Sequence, residues 1–384
     1  MIYLDNAATT SMYKECLSIY EEYACFNYFN PSALYAQSIK PNQVVNNARK
    51  TIAANIGCLY NEIYFTASGS EGDNLALFST IKQKKGKVLI SDTEHAAIYN
   101  SAMHLKDMGY EVICIPVDAY GRVIIEEYKK LLSKDVVLVS CIHVCNETGA
   151  INPISDISKL AKAANPSCIV HSDGVQAFGK IPVNVKALGV DLYTMSSHKI
   201  HGPKGVGAIY IKSTVHPRTF IYGGGQESNI RSATENVPGI ASFEKACQIT
   251  FDNFTKSYGN AKKIQKYIVD FINKNISDCI INTNLDQSSP YIISFSLKNV
   301  RGEGIVHALE SKDIVIGTGS ACSAKKGLKR IPMALNLDPS YFDGMLRISF
   351  DPTINQTDLD YALNELTKVI DKERELLQKW KKLF

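Results

Sequence analysis

A succession of short, almost unbroken apolar runs constrains this chain more than any other feature. Residues 62–66, 87–91, 112–117, 136–144, 168–171, 191–196 and 207–211 each have the length of a strand, and helical patterns separate most of them. A strand that is apolar on both faces has to be covered on both, which helical crossovers between parallel strands achieve and open hairpins do not. The chain is therefore expected to be α/β, with a mainly parallel sheet covered by helices. No internal repeat or low-complexity tract interrupts the pattern.

Polar residues collect just past the ends of these runs. Ser70, His95, Asn146, Asp173, Gln176, His198 and Lys199 each follow a strand. Ligands of open α/β sheets bind outside the carboxyl ends of the strands, so these side chains are expected to meet at one crevice. The stretch 196–207, SSHKIHGPKGVG, delivers a serine, a histidine and a lysine together where a buried strand should end. Desolvation there lowers the pKa of a lysine and frees its amine to attack an aldehyde, for which pyridoxal phosphate is the commonest cofactor.

Pyridoxal chemistry asks four services of a protein. Lys199 can hold the aldehyde, and Asp173, set against the ring nitrogen, can keep that nitrogen protonated. Ser70, Ser196 and His198, with the turn at Gly69, can grip the phosphate, because a glycine-containing turn at a helix N-terminus offers free N–H groups and the positive end of the dipole. The small residues 67–73 are expected to open a helix over 74–81, with Ser70 and Asp73 as a capping box. His95 can manage protons over the ring. Each residue also has an ordinary explanation, as a solvated lysine, a helix cap or a structural histidine, and it is their joint arrangement that favours the cofactor.

Charge and cysteine content exclude other classes. A formal charge of +4 spread over 384 residues leaves no nucleic-acid footprint, and the basic clusters KQKKGK (82–87) and KKGLKR (325–330) read as solvated surface. No apolar run reaches the roughly 18 to 20 residues of a membrane helix. The start, MIYLDNAATT, lacks the basic and apolar regions of a signal peptide, so a cytoplasmic location is expected. The ten cysteines contain no CxxC pair, which argues against disulfides and against a zinc site, and no metal is expected. A dinucleotide fold fails for want of G-x-G-x-x-G after a strand.

Beyond residue 211 the chain passes through glycine-rich turns into a helical region, about 238–275. Strands near 291–297 and 345–350 then suggest a smaller α+β domain. Its last helix opens with a capping pattern at 357–360, and Leu359, Leu363, Leu366, Ile370, Leu377 and Trp380 recur at helical spacing. The expected division is a large domain, 12–250, and a small one built from 1–11 and 251–384.

Ordered motifs run nearly end to end: YLDNAATT, NPS at 30–32, FTASGSEGDNLAL at 65–77, TEH at 93–95, HVCNETGAINP at 143–153, HSDGVQAFGK at 171–180, SSHKIHGPKGVGAIY, GGGQESNIRSAT at 223–234 and GTGSACSA at 317–324. In these the chain resembles the NifS/IscS-type cysteine desulfurases of the class V aminotransferase fold. The resemblance implies that Lys199 binds the cofactor, Asp173 pairs with the pyridine nitrogen, Gln176 donates to the ring hydroxyl and His95 stacks on the ring. It further implies that Ser70, Ser196 and His198 hold the phosphate, with Thr234 reaching it from the second subunit of a homodimer. Asn146 and Arg347 would take the substrate carboxylate, and Cys322 would receive the sulfur of L-cysteine as a persulfide and pass it to an acceptor protein. The small, glycine-rich surroundings of Cys322 make a poor core and a good mobile arm, so 318–330 is expected at the low-stability end of the structure. The GSAC form belongs to the long-loop branch.

The chain departs from the family pattern at Phe29, Tyr35, Cys145 and Ala233, none of which removes a catalytic group. Iron–sulfur cluster assembly and tRNA thiolation both remain open as the destination of the sulfur. Selenocysteine lyase and cysteine sulfinate desulfinase would share the cofactor site. A non-catalytic sulfur-relay scaffold is disfavoured by the complete set of Lys199, Asp173, His95 and Cys322.

Overall fold

The apolar runs assemble into one seven-stranded sheet in the computed structural model, which describes residues 1–82, 85–318 and 329–383, and side chains as far as residue 377. Strand β1 (Ile2–Leu4) and helices α1 (Lys14–Glu21) and α2 (Ile39–Ile56) come first, then β2 (Ile63–Thr66) and α3 (Gly69–Thr80). An alternation follows: β3 (Lys87–Ser91), α4 (Ala96–Asp107), β4 (Glu111–Ile115), α5 (Ile125–Leu131), β5 (Val136–Ser140), α6 (Ile154–Ala164), β6 (Ile169–Asp173), α7 (Val185–Leu188), β7 (Leu192–Ser196) and β8 (Gly207–Ile211). The spatial order is β2-β8-β7-β6-β5-β3-β4. Strands β3 to β7 are parallel to one another. Only β8 opposes its neighbours β7 and β2, so β2 points the same way as β7.

Side chains on these strands alternate between two cores, as the period of a strand requires. Val88, Ile90, Leu138 and Leu192 pack beneath Leu75 of α3 and Ile98 of α4. Leu89, Val139, Val170 and Tyr193 face the other way, toward Ile52 and Ile56 of α2, Ile157 of α6 and Phe243. Continuous apolarity in the sequence is thus two half-patterns read at once.

Three local expectations are corrected. Helix α3 begins at Gly69, not at residue 74: Ser68 Oγ caps it by accepting from Glu71 N at 3.1 Å, and Glu71 Oε2 accepts from Ala67 N at 3.1 Å, so the N-cap lies two residues before the expected one. Strand β5 ends at Ser140, and beyond it Glu94 Oε1 accepts from Ile142 N at 2.6 Å while Cys141 N and His143 N still donate to His171 O and Asp173 O of β6. The helical region 238–275 is broken at Asn253 into α8 (Val237–Asp252) and α9 (Phe254–Asn275).

A second sheet follows, from β9 (Cys279–Ile281), β10 (Ile292–Leu297), β11 (Ile314–Thr318) and β12 (Met345–Ser349), with α10 (Gly302–Glu310) between β10 and β11. Its order is β1-β11-β12-β10-β9, so the first strand of the chain closes one edge. Ile293, Phe295, Leu346 and Ile348 pack against Ile268 and Ile272 of α9 and against Leu359, Leu363, Leu366 and Ile370 of the last helix, Gln356–Leu383. That helix is capped by Asn355, whose Oδ1 accepts from Asp358 N at 2.8 Å, two residues before the expected pattern.

From β1 the chain runs as a strap between the two sheets. Asp5 bridges to Ser349 of β12, and five residues on Thr10 N donates to His198 O at 3.1 Å. The strap ties the N-terminus to the turn that carries Lys199.

Candidate active site

Parallel strands β3, β5, β6 and β7 present their carboxyl ends along one rim, and co-directed β2 adds its own. Chain order reverses between β3 and β5, since β4 lies outside β3 and β6 and β7 lie on the other side, which is the switch point where open α/β sheets bind ligands. His95 follows β3 as the N-cap of α4, its Nδ1 accepting from Ala97 N at 3.1 Å; this fixes the neutral tautomer with the proton on Nε2. Asp173 ends β6, buried, with Oδ1 accepting from Val175 N at 2.8 Å. Lys199 closes the tight turn Ser197–Lys199 after β7 and donates through Nζ to Ala7 O at 2.6 Å and Ala8 O at 2.8 Å. Gln176 Nε2 shares the first of these carbonyls, at 2.8 Å.

Electrostatics follow from burial. One side-chain ring nitrogen or carboxyl oxygen each of Asp73, His95 and Asp173 lies within 4.8 Å of the other two. Burial, aided by Arg347, lowers Lys199 from 10.5 to about 8, while Asp173 and Asp5 oppose that shift. His95 falls to about 4 through burial and the nearby cations Lys199 and Arg330, so its ring is neutral at pH 7. Asp173 rises to about 6, burial outweighing the Val175 N–H and Lys199. Burial first, then Asp173, raises Glu94 to about 8 and pushes Asp73 well above the carboxylate range. The rim therefore combines an amine that loses its proton readily, a carboxylate ionised at neutral pH and carboxyls held neutral around it.

At the other end of the crevice, Gly69 and Ser70 form the first turn of α3, where backbone N–H groups lack intrahelical partners. Ser196 is the buried last residue of β7. His198 Nδ1 meets Thr9 Oγ1 at 3.0 Å, and burial with the charge of Lys199 lowers its pKa to about 4. Arg347, on β12, donates to Asn146 O at 2.7 Å and to Asp5 Oδ1 at 2.7 Å, which brings the two expected carboxylate-binding residues together from different sheets. Thr234 is exposed, in a segment anchored where Arg231 Nε donates to Glu71 Oε1 at 2.7 Å. Cys322 lies outside the described residues, as does most of the segment 318–330. Cys145, beside Asn146, is fully buried and its thiol pKa is raised by burial, which makes it inert.

Sequence reasoning assigned Asp73 only a capping role and did not single out Glu94, Lys180 or the carbonyls of Ala7 and Ala8. Lys180 stands four residues after Gln176, a spacing that could have revealed it; backbone carbonyls leave no such signal.

These residues suit pyridoxal phosphate. A Cβ added to Gly69 would lie 2.7 Å from Val175 Cγ2 and 3.6 Å from Ser196 Cβ, so the free amides of α3 approach the ends of β6 and β7 as closely as a phosphate cradle needs. Asp73 Oδ1 is buried without a hydrogen-bond partner beside His95 and Asp173. A nucleophilic amine, a buried ionisable carboxylate and a neutral imidazole complete the donor set.

The class V aminotransferase family model matches residues 2–362, and the chain belongs to that family. Within it, the curated relatives that the chain resembles include cysteine desulfurases. The cysteine desulfurase IscS of Dictyoglomus turgidum is 36% identical over 387 residues, covering 99% of this chain and 98% of its own. The cysteine desulfurase IscS of Methanosarcina thermophila is 33% identical over 379 residues, covering 98% and 93%. Among solved structures, a NifS-like protein superposes with a TM-score of 0.90 at 31% identity, covering 96% of this chain and 99% of that one.

Two measurements probe the site's construction. Gly174 follows Asp173, and a Cβ there would lie 2.1 Å from ring carbons of Tyr193, whose hydroxyl meets His143 Nδ1 at 2.8 Å. Gly174→Ala is expected to cost about 1–3 kcal/mol by overpacking, read as a lower urea midpoint; an unchanged midpoint would mean the ring can move aside. Separately, the rate at which apoprotein takes up pyridoxal phosphate should rise with pH and level off about one unit above 8, where the folded amine of Lys199 has become mostly neutral. A rate still climbing tenfold per unit at pH 9.5 would mean that an unperturbed lysine does the work.

Proposed function

We infer that this protein is a pyridoxal-phosphate-dependent cysteine desulfurase, which converts L-cysteine to L-alanine and carries the sulfur as a persulfide on Cys322. The observation that carries this reading is the convergence of Lys199, with its amine lowered to about 8, on buried Asp173 and neutral His95 at the carboxyl ends of parallel strands. Bound pyridoxal phosphate supplies an electron sink that stabilises negative charge at the substrate α-carbon.

The protein's residues do the rest. Lys199 holds the cofactor aldehyde and yields to substrate. Asp173 remains ionised at neutral pH and keeps the pyridine proton in place, and Gln176 donates to the ring hydroxyl. Gly69, Ser70, Ser196 and His198 bind the phosphate. Arg347 offers its planar fork to the substrate carboxylate beside Asn146. His95 moves protons at the substrate. The Cys322 thiolate attacks the substrate sulfur; an S–S bond forms as the C–S bond breaks, the electron pair returns toward carbon, and protonation there completes alanine.

The protein works as a homodimer in the cytoplasm, with Thr234 completing the partner's phosphate site and an acceptor protein collecting the sulfur for iron–sulfur cluster assembly or tRNA thiolation. Exposed Leu17, Phe26, Tyr28, Leu34, Tyr35 and Ile39, drawn from one short segment, support the dimer as an apolar surface to cover. No helix among the described residues is long and apolar enough to cross a membrane. The division into 12–250 and 1–11 with 251–384 accounts for substrate groups arriving from both sheets.

Purified holoprotein given L-cysteine and a thiol reductant should release alanine and sulfide in equal amounts. Alanine without reducible sulfur, or turnover of selenocysteine or cysteine sulfinate alone, would overturn the substrate assignment.

A further inference from the structure

Gln176 and Lys180 stand four residues apart in the tight turns after β6. Ala177 N and Phe178 N both donate to Gly174 O, and Lys180 N donates to Ala177 O at 3.0 Å, which folds the segment as one helical turn. Gly179 then adopts a φ of +72°, and a Cβ there would meet Thr250 Cγ2 at 2.8 Å and Ile200 Cγ2 at 2.9 Å. The turn directs Lys180 inward, where it is 8% exposed. Its Nζ donates to Gln176 Oε1 at 2.9 Å, and no carboxylate among the described residues pairs with it.

A side-chain amide is ambiguous: turned over, it exchanges its donor for its acceptor. The ammonium and the neutral amine of a lysine both donate, so Lys180 claims the oxygen of Gln176 in either protonation state. The nitrogen is thereby left with one proton on Ala7 O and a second free for the crevice. Ala7 O also receives Lys199 Nζ, so the amide and the reactive amine are registered on one carbonyl.

We propose that Lys180 is a positioning residue that locks the orientation of the Gln176 amide, so that a donor and never an acceptor faces the oxygen substituent of the bound cofactor ring. This rests on the cofactor assignment above and extends it to a residue that touches neither cofactor nor substrate.

Charges facing Lys180 come from each packed element. Lys199, His198 and His201 lie on the turn after β7 and Arg347 lies on β12, while Asp5 of the strap is paired with Arg347. Burial, then Lys199 and Arg347, brings Lys180 from 10.5 to about 7. A donor on the ring oxygen stabilises the form of the Lys199-bound chromophore that has lost its proton. Ala7 O holds the amide nitrogen from the other side, so without Lys180 the amide keeps one of its two anchors and turns over part of the time, and the chromophore should keep its proton to higher pH.

The test is the pH midpoint of the visible absorbance of cofactor-loaded protein, with KM and kcat measured alongside. Lys180→Met should raise the midpoint by about one unit, or tenfold in proton affinity. Lys180→Arg should restore it, since a guanidinium also donates and never accepts, and Lys180 lines an open pocket beside Asn6 and Tyr291. In a Gln176→Ala background, Lys180→Met should add less than about a third of the shift it gives alone, because its effect passes through the amide. A wild-type midpoint in Lys180→Met, or equal shifts in both backgrounds, overturns the proposal. Should Lys180→Met fail to fold, Lys180→Gln and Lys180→Arg decide it: the first should shift and the second should not. Wild-type protein that never binds pyridoxal phosphate refutes the cofactor assignment instead, and is recognised before any variant is compared.

Discussion

Lys199→Ala is expected to lower kcat on the order of 10⁴-fold, between the loss typical of a proton-transfer group and that of a covalent nucleophile. The variant loses the amine that engages the cofactor and the cation buried beside Asp173. The other contacts stay, because the amides of Gly69 and Ser70, the Asp173 carboxylate and the Gln176 amide come from elements that pack independently of that side chain. The variant should therefore bind pyridoxal phosphate with the spectrum of the free aldehyde. It should also fold more stably at neutral pH than the wild-type apoprotein. A lysine whose folded pKa is lowered to about 8 binds fewer protons than the unfolded chain between pH 8 and 10.5, so its penalty is greatest below pH 8 and fades as pH rises to 10.5. Retention of a tenth of wild-type activity would place the covalent chemistry elsewhere.

Cys322→Ser is expected to separate binding from sulfur transfer. The variant should keep the cofactor spectrum and its response to L-cysteine, yet form no persulfide and produce alanine slower by about 10³-fold or more, the scale of losing a nucleophile. Substitution by another thiol is constrained by burial. Cys16, Cys141, Cys145, Cys168 and Cys247 are buried, and burial raises the pKa of each thiol. Cys25 is the one exposed thiol among the described residues, and it sits in the segment Glu22–Phe26 that continues α1. Mass spectrometry after incubation with L-cysteine should find the added sulfur on a peptide containing Cys322. The same modification in Cys322→Ser would transfer the role to another cysteine.

What was legible in the sequence was whatever side chains alone determine. Strands β3, β5, β6 and β7 announced themselves because each has to fill two cores at once, and His95, Asp173 and Lys199 stood out because polar side chains abruptly follow those runs. Strand β8 was readable in principle: the connection 197–206 is shorter than the dozen or so residues a parallel crossover needs, which forces the antiparallel turn observed. The strap was not readable. Its hold on Lys199 and Gln176 runs through the carbonyls of Ala7 and Ala8, which any residue offers. Asp73 read only as a helix-capping residue and Glu94 only as the residue before His95, and the fold reveals that both are buried beside Asp173 and pushed toward neutrality.

On the proposed function, Lys199 carries the cofactor in a crevice built from the sheet rim and the strap. Borohydride reduction of the loaded protein, followed by digestion and peptide mass spectrometry, tests it directly. The pyridoxyl group should be found on the peptide containing Lys199, in one copy per chain. A label on any other lysine, or none at all, would contradict the account.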